Sequence, residues 1–355
     1  MFKIRKDTKI YIISPFHNTG GPKSLHQLAN VLKNAGYNVF MVYCNNLQGS
    51  IYNTNKILYQ EFKINVSTSI EDNEKNILIT SEYQSGIHLQ YKKIQKVIWW
   101  LSLDFYLNQK TLYFAKFVIK TKNYPHIIMP LICIKIFFQK LYEEKYQQVT
   151  SKKDFKSIYH MYNCEYVHKF LKKKNVKDDN MHYLCGPLEK DYMDVDFNNM
   201  MMKKKDIVVY NPAKMNMKIF NKVQDYVHQK DSSISFVAIK NMSHDEVYET
   251  ISNAKVYFDL GYFPGPERMP REAVSLYCNI ITSNQGSASN NIDVPIPKQY
   301  KFAIKNSNVK KIGELIINMI KNYNKYISDF DIYRESVKNQ ILRFDKDILN
   351  IFKGY

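Results

Sequence analysis

Short β-rich runs alternate with helix-length segments along most of this sequence, and the alternation starts twice. KIYIIS (9–14), VFMVY (39–43), NILIT (76–80), KVIWWL (96–101), SIYHMY (157–162) and MHYL (181–184) read as strands in the first half. After the first of them, Leu25, Leu28, Ala29 and Leu32 recur at helical spacing from Ser24 to Ala35, and Gly36 ends that helix. YVHKFLKKK (166–174) is a second helix, between the last two strands. Continuous apolar strands separated by helices are parallel strands covered on both faces. MDVDFNNMMMKKKD (193–206) breaks the pattern and reads as a polar linker. The alternation then resumes with DIVVY (206–210), ISFVAI (234–239), KVYFDL (255–260) and NIITS (279–283), with helices over 218–230, 243–253 and 270–277. From Val309 onward the chain reads as helix alone. Two doubly wound α/β domains in tandem, closed by C-terminal helices, is the expected architecture, and 355 residues suit about two domains at roughly 150 each.

Lys and Arg outnumber Asp and Glu by 51 to 33, a net charge of +18 that calls for acidic partners. Nucleic acid is one class. However, the lysines are spread along the chain, and no zinc knuckle, helix-turn-helix or RNA-binding strand motif accompanies them, which argues against it. Phosphorylated substrates and an anionic membrane surface remain. The five cysteines form no C-x-x-C pair, which reads as reduced thiols in the cytoplasm. MFKIRKDTKIYIIS reads as a strand rather than a secretory signal. The longest apolar run, PHIIMPLICIKIFF (125–138), is interrupted by Pro130 and Lys135 and falls short of the ~20 residues a bilayer crossing needs. From Asp104 to Glu143 there is no acid, and Lys alternates with Tyr, Phe, Ile and Leu. Such a surface suits peripheral attachment to anionic lipid at the inner face of the membrane, or equally a pair of helices packed on the sheet with lysines outward.

Ligands of open α/β sheets bind outside the carboxyl ends of the strands, so the loops there hold the candidate residues. In SPFHNTGGPKS (14–24), Gly20 and Gly21 bare the backbone ahead of a helix N-terminus that favours anions, or simply make a tight turn. GYFPGPERMPREAVSLYCNIITSNQGSASN (261–290) crowds prolines around charges where a helix begins. Pro270 suits a first helical turn, which places Arg271 and Glu272 in that turn and Arg268 just before it. A carboxylate there accepts two ribose hydroxyls, and an arginine forks onto phosphate; the competing reading is a mutual salt bridge. Gly286 and Ser287, after the next strand, are further phosphate candidates. YNPAK (210–214) adds Asn211 and Lys214, the lysine either neutralising a diphosphate or lying in solvent. His17, Glu82 and Asp104 stand near the ends of strands in the first half, Asp104 also as a possible helix cap. Trp99 and Trp100 read as core and rim residues, with sugar stacking the lesser alternative. No His, Asp or Cys group has metal-ligand spacing, so no metal is expected.

GGPKSLHQLANVLKNAGYNV, YNPAK, PGPERMPREA and NIITSNQGSASN, in that order, resemble the glycogen-synthase-like retaining branch of the GT-B glycosyltransferases, which includes many bacterial capsule and lipopolysaccharide enzymes. The resemblance implies two Rossmann-like domains facing a central cleft. Residues 1–195 would bind the acceptor, residues 206–330 the nucleotide sugar, and a helix over 331–355 would pack back toward the N-terminal domain. It implies a UDP-, GDP- or ADP-sugar donor, a saccharide or lipid-linked acceptor, and no cofactor. Gly20 and Gly21 would face the acceptor, and Lys214 the donor diphosphate. Glu272, before Ala273, matches the second of the family's two motif glutamates, which binds the donor ribose. Pro264 stands where the first glutamate belongs, and Glu267 is too close to replace it. The family's basic residue ahead of the lysine is also missing, a place Arg268 can fill. Lys214, Arg268 and helix N-termini would then neutralise the leaving group in place of a metal. His17, Glu82 and Asp104 are the candidate acceptor bases or, since retention needs no strong base, positioning groups. The alternatives are a basic nucleic-acid-binding protein, and a nucleotide-sugar epimerase or polyol-phosphate transferase on the same fold.

Overall fold

Among the described residues of the computed structural model, every pairing between strands is parallel. The structure describes residues 3–44, 51–52, 54, 56–122, 124–142, 148–213 and 215–353, without the side chains of 117, 120–122 and 139–142. The chain divides into Met1–Gly186 with Arg343–Tyr355 (unit 1) and Pro187–Leu342 (unit 2).

Unit 1 contains β1 (Lys9–Pro15), α1 (Gly20–Asn34), β2 (Asn38–Cys44), β3 (Asn65–Val66), β4 (Ile77–Ser81) and β5 (Gln95–Trp100). Then come α2 (Leu103–Leu107), α3 (Thr111–Lys122), α4 (Met129–Tyr142), α5 (Lys152–Ser157), β6 (Tyr159–Tyr162), α6 (Glu165–Lys173) and β7 (Met181–Tyr183). The strand order is β3-β2-β1-β4-β5-β6-β7. Alternation along each strand fills both faces. Ile10, Ile12, Met41, Ile79 and Trp99 pack with Leu25, Leu28 and Leu32 of α1 on one side. Tyr11, Ile13, Val42 and Leu78 form a core on the other, beside Ile98, Trp100, Tyr106 and Phe155. Both tryptophans are fully buried. Trp99 Nε1 donates to the Leu184 carbonyl at 2.8 Å and Trp100 Nε1 to His160 Nδ1 at 3.0 Å, so neither is a rim residue. The five cysteines are free thiols.

Unit 2 contains α7 (Phe197–Lys203), β8 (Lys205–Tyr210), α8 (Met217–Lys230), β9 (Ser235–Ala238), α9 (His244–Asn253), β10 (Ala254–Asp259) and α10 (Arg268–Ser275). β11 (Asn279–Ser283), β12 (Lys301–Phe302), α11 (Val309–Lys321), α12 (Tyr323–Tyr326) and, as far as Leu342, α13 (Asp331–Ile351) complete it. The order is β12-β11-β10-β8-β9. Val208, Val209, Val256, Tyr257, Phe258, Ile280 and Ile281 are all fully buried, as continuous apolar strands require. The last turns of α13, with Phe344, Ile348, Ile351 and Phe352, lie in the core of unit 1, where Phe344 stacks 6.3 Å from Trp99.

Four local expectations change. The linker over 193–206 is a helix followed by the first residues of a strand. Asp196 caps α7 by accepting from the Asn199 amide at 2.6 Å. Lys204 carries its ammonium inward to the carbonyls of Ala254 (2.8 Å) and Leu276 (2.6 Å). Leu188, Tyr192 and Met200 join the core of unit 2, so 187–205 belongs there. Residues 157–158 precede β6 rather than opening it, because α5 runs to Ser157 from its Ser151 cap. α1 starts at Gly20, four residues early, and α10 at Arg268, two early. The two-residue edge strands β3 and β12 are too short to leave a periodic signal.

Candidate functional site

Strand order reverses between β8 and β10 in unit 2, and between β1 and β4 in unit 1. A reversal leaves adjacent strands whose following connections diverge, and ligands of such sheets lie in that gap. In unit 2 the loops over 211–216 and 260–267 flank the gap.

Main-chain contacts fix the second of these loops. Asp259 Oδ1 accepts the Gly261 amide at 2.7 Å while Tyr257 donates its hydroxyl to Oδ2 at 2.8 Å. Burial, followed by Asp259, holds the Tyr257 hydroxyl far above its ordinary range. Phe263 bridges Gly286. The Ser287 amide donates to the Phe263 carbonyl at 2.8 Å and its hydroxyl to the Gly265 carbonyl at 2.7 Å. Gly286 sits at φ 60°, ψ −134°, and a Cβ there would lie 1.9 Å from the Phe263 oxygen. Gly286 and Ser287 therefore hold the proline loop, and the Ser287 amide and hydroxyl are committed to its carbonyls.

Glu267 is the N-cap residue of α10, with no capping bond from its side chain, and Pro270 takes the third helical place, where no backbone partner is needed. Arg268, the first helical residue, points Nη2 and Nε at Glu272 Oε1, at 3.2 and 3.3 Å, and Nη2 also at Glu189. Burial opposes the guanidinium charge, but Glu272 and Glu189 outweigh it and raise its pKa. His244 Nε2, at the start of α9, lies 3.6 Å from Glu189 Oε2. Tyr192 packs edge-on against His244, its hydroxyl pushed up by burial and then by Glu272 and Glu189. Arg271 is buried, engaged with the Glu267 carbonyl (3.3 Å) and Gln340 of α13 (3.1 Å). Asn211 accepts the Ala213 amide at 3.0 Å, shaping its own turn. Lys214 lies outside the described residues. The salt bridge and the paired site of the sequence reading are thus one constellation, and Glu189 and His244 were missed. Glu189 stood in a stretch assigned to the first domain. His244 looks like any polar residue at a helix start.

In unit 1 the loops after β1 and β4 flank the reversal. His17 is half-buried there and its amide donates to the Pro15 carbonyl at 3.1 Å. Gly20 and Gly21 form the first turn of α1 rather than a turn before it. A Cβ on Gly21 would make only ordinary contact, 3.8 Å from Leu101 Cδ1. Glu82 is 1% exposed and accepts the Leu101 amide at 2.7 Å, tying the ends of β4 and β5. Burial pushes its carboxyl up to about 7, against the pull of the Leu101, Ser102 and its own amides. Asp104 is buried and accepts the Tyr113 hydroxyl at 2.9 Å; Ser102, not Asp104, occupies the cap position of α2.

A cavity of about 990 Å³ lies at the other end of the second sheet, among Lys204, Lys255, Tyr277, Lys321 and Tyr323. Its position at the amino ends of β8, β10 and β11 separates it from these loops. Lys204 is committed to backbone carbonyls, Lys255 to Asp206 at 2.5 Å and Lys321 to Asp231 at 3.1 Å. Among the described residues no cluster of His, Cys, Asp and Glu has the makings of a metal site, and no helix is long and apolar enough to cross a membrane.

No protein-family description and no curated protein sequence matches this chain. Solved structures do. Sucrose-phosphate synthase from Thermosynechococcus elongatus is similar over 97% of each chain, with a TM-score of 0.60 at 12% identity. WaaG, a glycosyltransferase involved in lipopolysaccharide biosynthesis, is similar over 98% of this chain and 100% of its own, with a TM-score of 0.55 at 9% identity. Anabaena HepE in complex with UDP-glucose is similar over 97% and 98%, with a TM-score of 0.52 at 10% identity. The chain has the GT-B fold that the sequence resemblance implies.

Two outcomes test this geometry. Gly286→Ala lowers stability by about 2–4 kcal/mol in denaturant titration, since it combines backbone strain with overlap on Phe263; an unchanged midpoint would contradict the main-chain contact. For Glu82, the unfolded carboxyl releases its proton near 4.5 and the folded one near 7. Folding therefore loses free energy as pH rises through that window and levels off above it. Thermal unfolding of Glu82→Gln compared with the parent at pH 5 and pH 8 reads this term, with the variant gaining relative stability at pH 8. An equal difference at both values would refute it.

Proposed function

We propose that this chain is a glycosyltransferase that draws a sugar from a nucleotide-sugar donor held at the start of α10. The observation that carries the reading is the pairing of Arg268, at the start of α10, with Glu272 one turn on, at the reversal of the second sheet. A guanidinium and open helix amides suit a diphosphate, and a carboxylate one turn further suits ribose hydroxyls. Lys214 is assigned to the same diphosphate. Fixed positive charge and amide dipoles then stabilise the departing nucleotide without a metal. UDP is the nucleotide we favour, because HepE, of like fold, has been solved with UDP-glucose. The acceptor is assigned to the loop after β1 in unit 1. His17 has solvent access there, whereas Glu82 and Asp104 are closed off. A retaining outcome, which asks for no strong base, suits that set.

Surface-polysaccharide assembly at an anionic membrane is the biological setting we propose. On α3, α4 and the turn joining them, Leu112, Ile127, Leu131, Ile134, Phe137 and Phe138 are each more than half exposed. Lys110, Lys116 and Lys135 accompany them and no acid does. Apolar side chains with lysines around them suit acyl chains and anionic headgroups together.

For the donor site, a nucleoside diphosphate at a hundred times its Kd adds about 2.7 kcal/mol to native stability. A thermal-shift series with UDP, GDP and ADP is expected to show this for UDP and to lose it in Glu272→Ala. Turnover of the corresponding sugar, assayed in EDTA, is expected to fall by about a hundredfold or more in that variant. Full turnover in Glu272→Ala removes the site assignment. For the membrane surface, the protein is expected to co-sediment with phosphatidylglycerol vesicles at low salt and to detach at high salt, while an Ile127→Glu, Leu131→Glu, Phe138→Glu triple variant stays in the supernatant. Equal sedimentation of parent and triple variant counts against that surface.

A further inference from the structure

Arg268 is the cation assigned above to the donor diphosphate, yet its Nε and Nη2 are already occupied. Glu272 takes both and Glu189 shares Nη2. Two carboxylates share this one guanidinium, so the three side chains together carry a net negative charge. Like charges at this range disfavour a polyanion. Both forks of the guanidinium use Nη2, so a phosphate can take Arg268 bidentately only when a carboxylate withdraws from that nitrogen.

The two carboxylates are not equally able to do so. Glu272 lies one turn from Arg268 on the same helix, with 7% of its side chain exposed. Glu189 comes from the irregular segment before the turn Lys190–Tyr192, is 19% exposed, and has a second partner within reach. His244 Nε2 is 3.6 Å from its Oε2, just beyond hydrogen-bond distance, so a small movement completes that contact. His244 is placed there by the well-capped start of α9, where Ser243 and Glu246 form a reciprocal capping box. Its position therefore stays fixed while Glu189 moves.

We propose that Glu189 is a built-in counter-anion: it holds the phosphate place on Arg268 until an incoming diphosphate displaces it toward His244. Glu189 is in these terms a specificity-determining residue. It sets the charge a ligand must bring before Arg268 becomes available, which excludes neutral sugars and favours diphosphates over monophosphates. The identity of the anion rests on the proposed donor reading, whereas the displacement itself requires only an anion.

The test is isothermal titration of the full chain with inorganic pyrophosphate, UDP and uridine, using the parent, Glu189→Gln and Glu189→Ala. Removing the competing charge-assisted bond is expected to tighten pyrophosphate and UDP about tenfold. Uridine, which has no phosphate, is expected to bind parent and variants alike. Pyrophosphate binding that is equal or weaker in a variant with a normal unfolding transition overturns the proposal; two substitutions guard against one that fails to fold. If pyrophosphate tightens but none of the three proteins binds UDP, the counter-anion stands and the donor reading falls. Tightening of uridine to the same degree as UDP also overturns the proposal, because the gain would then lie away from the phosphate.

Discussion

A parallel strand pair cannot close through a tight turn, because the chain must cross back over the sheet before the next strand begins. Both units obey this constraint, and it sorts their connections. Segments leaving the strands gather at one end of each sheet, and those returning gather at the other. Where the strand order reverses, two departing loops diverge and leave room. His17, Arg268 and Glu272 sit at such departures, while Lys204 and Lys255 sit at the returning end, where their charges serve the chain itself.

That sorting explains why so much of the fold is legible in the sequence. Ile, Val and Phe runs of strand length can be satisfied only by cover on both faces, so the strands and the fold class emerged from composition and spacing. The glycine- and proline-rich loops were conspicuous because they break that pattern, and Arg268 and Glu272 were found inside one. What escaped notice was decided by contacts distant in sequence. Glu189 reaches a guanidinium 79 residues away, and nothing in GPLEK announces it. Asp196 turns a polar stretch into helix by capping, and Lys204 makes it part of a core by satisfying helix-end carbonyls. Ser287 looked like a phosphate ligand because small hydroxyl residues near glycine often are; only the neighbouring loop shows where its hydrogen bonds go. Glu82 stands out in the sequence because it follows a strand; that it is buried and accepts the Leu101 amide depends on β5, its neighbour in space.

The site also illustrates how a basic protein can remain selective. A net charge of +18 would attract many anions to the surface. At the start of α10, however, carboxylates outnumber the guanidinium they surround. In the proposed scheme, general attraction brings polyanions near and the two carboxylates on Arg268 select among them.

The proline loop is fastened by amide, carbonyl and glycine contacts at Phe263, Gly265 and Gly286, with one serine hydroxyl added. A frame made chiefly of backbone is indifferent to most side-chain identities along it. Residues 264–267 can therefore drift as substrates diverge, at little cost to the shape of the loop. Position 286, with no room for a single extra carbon, is where such a lineage has no freedom to explore.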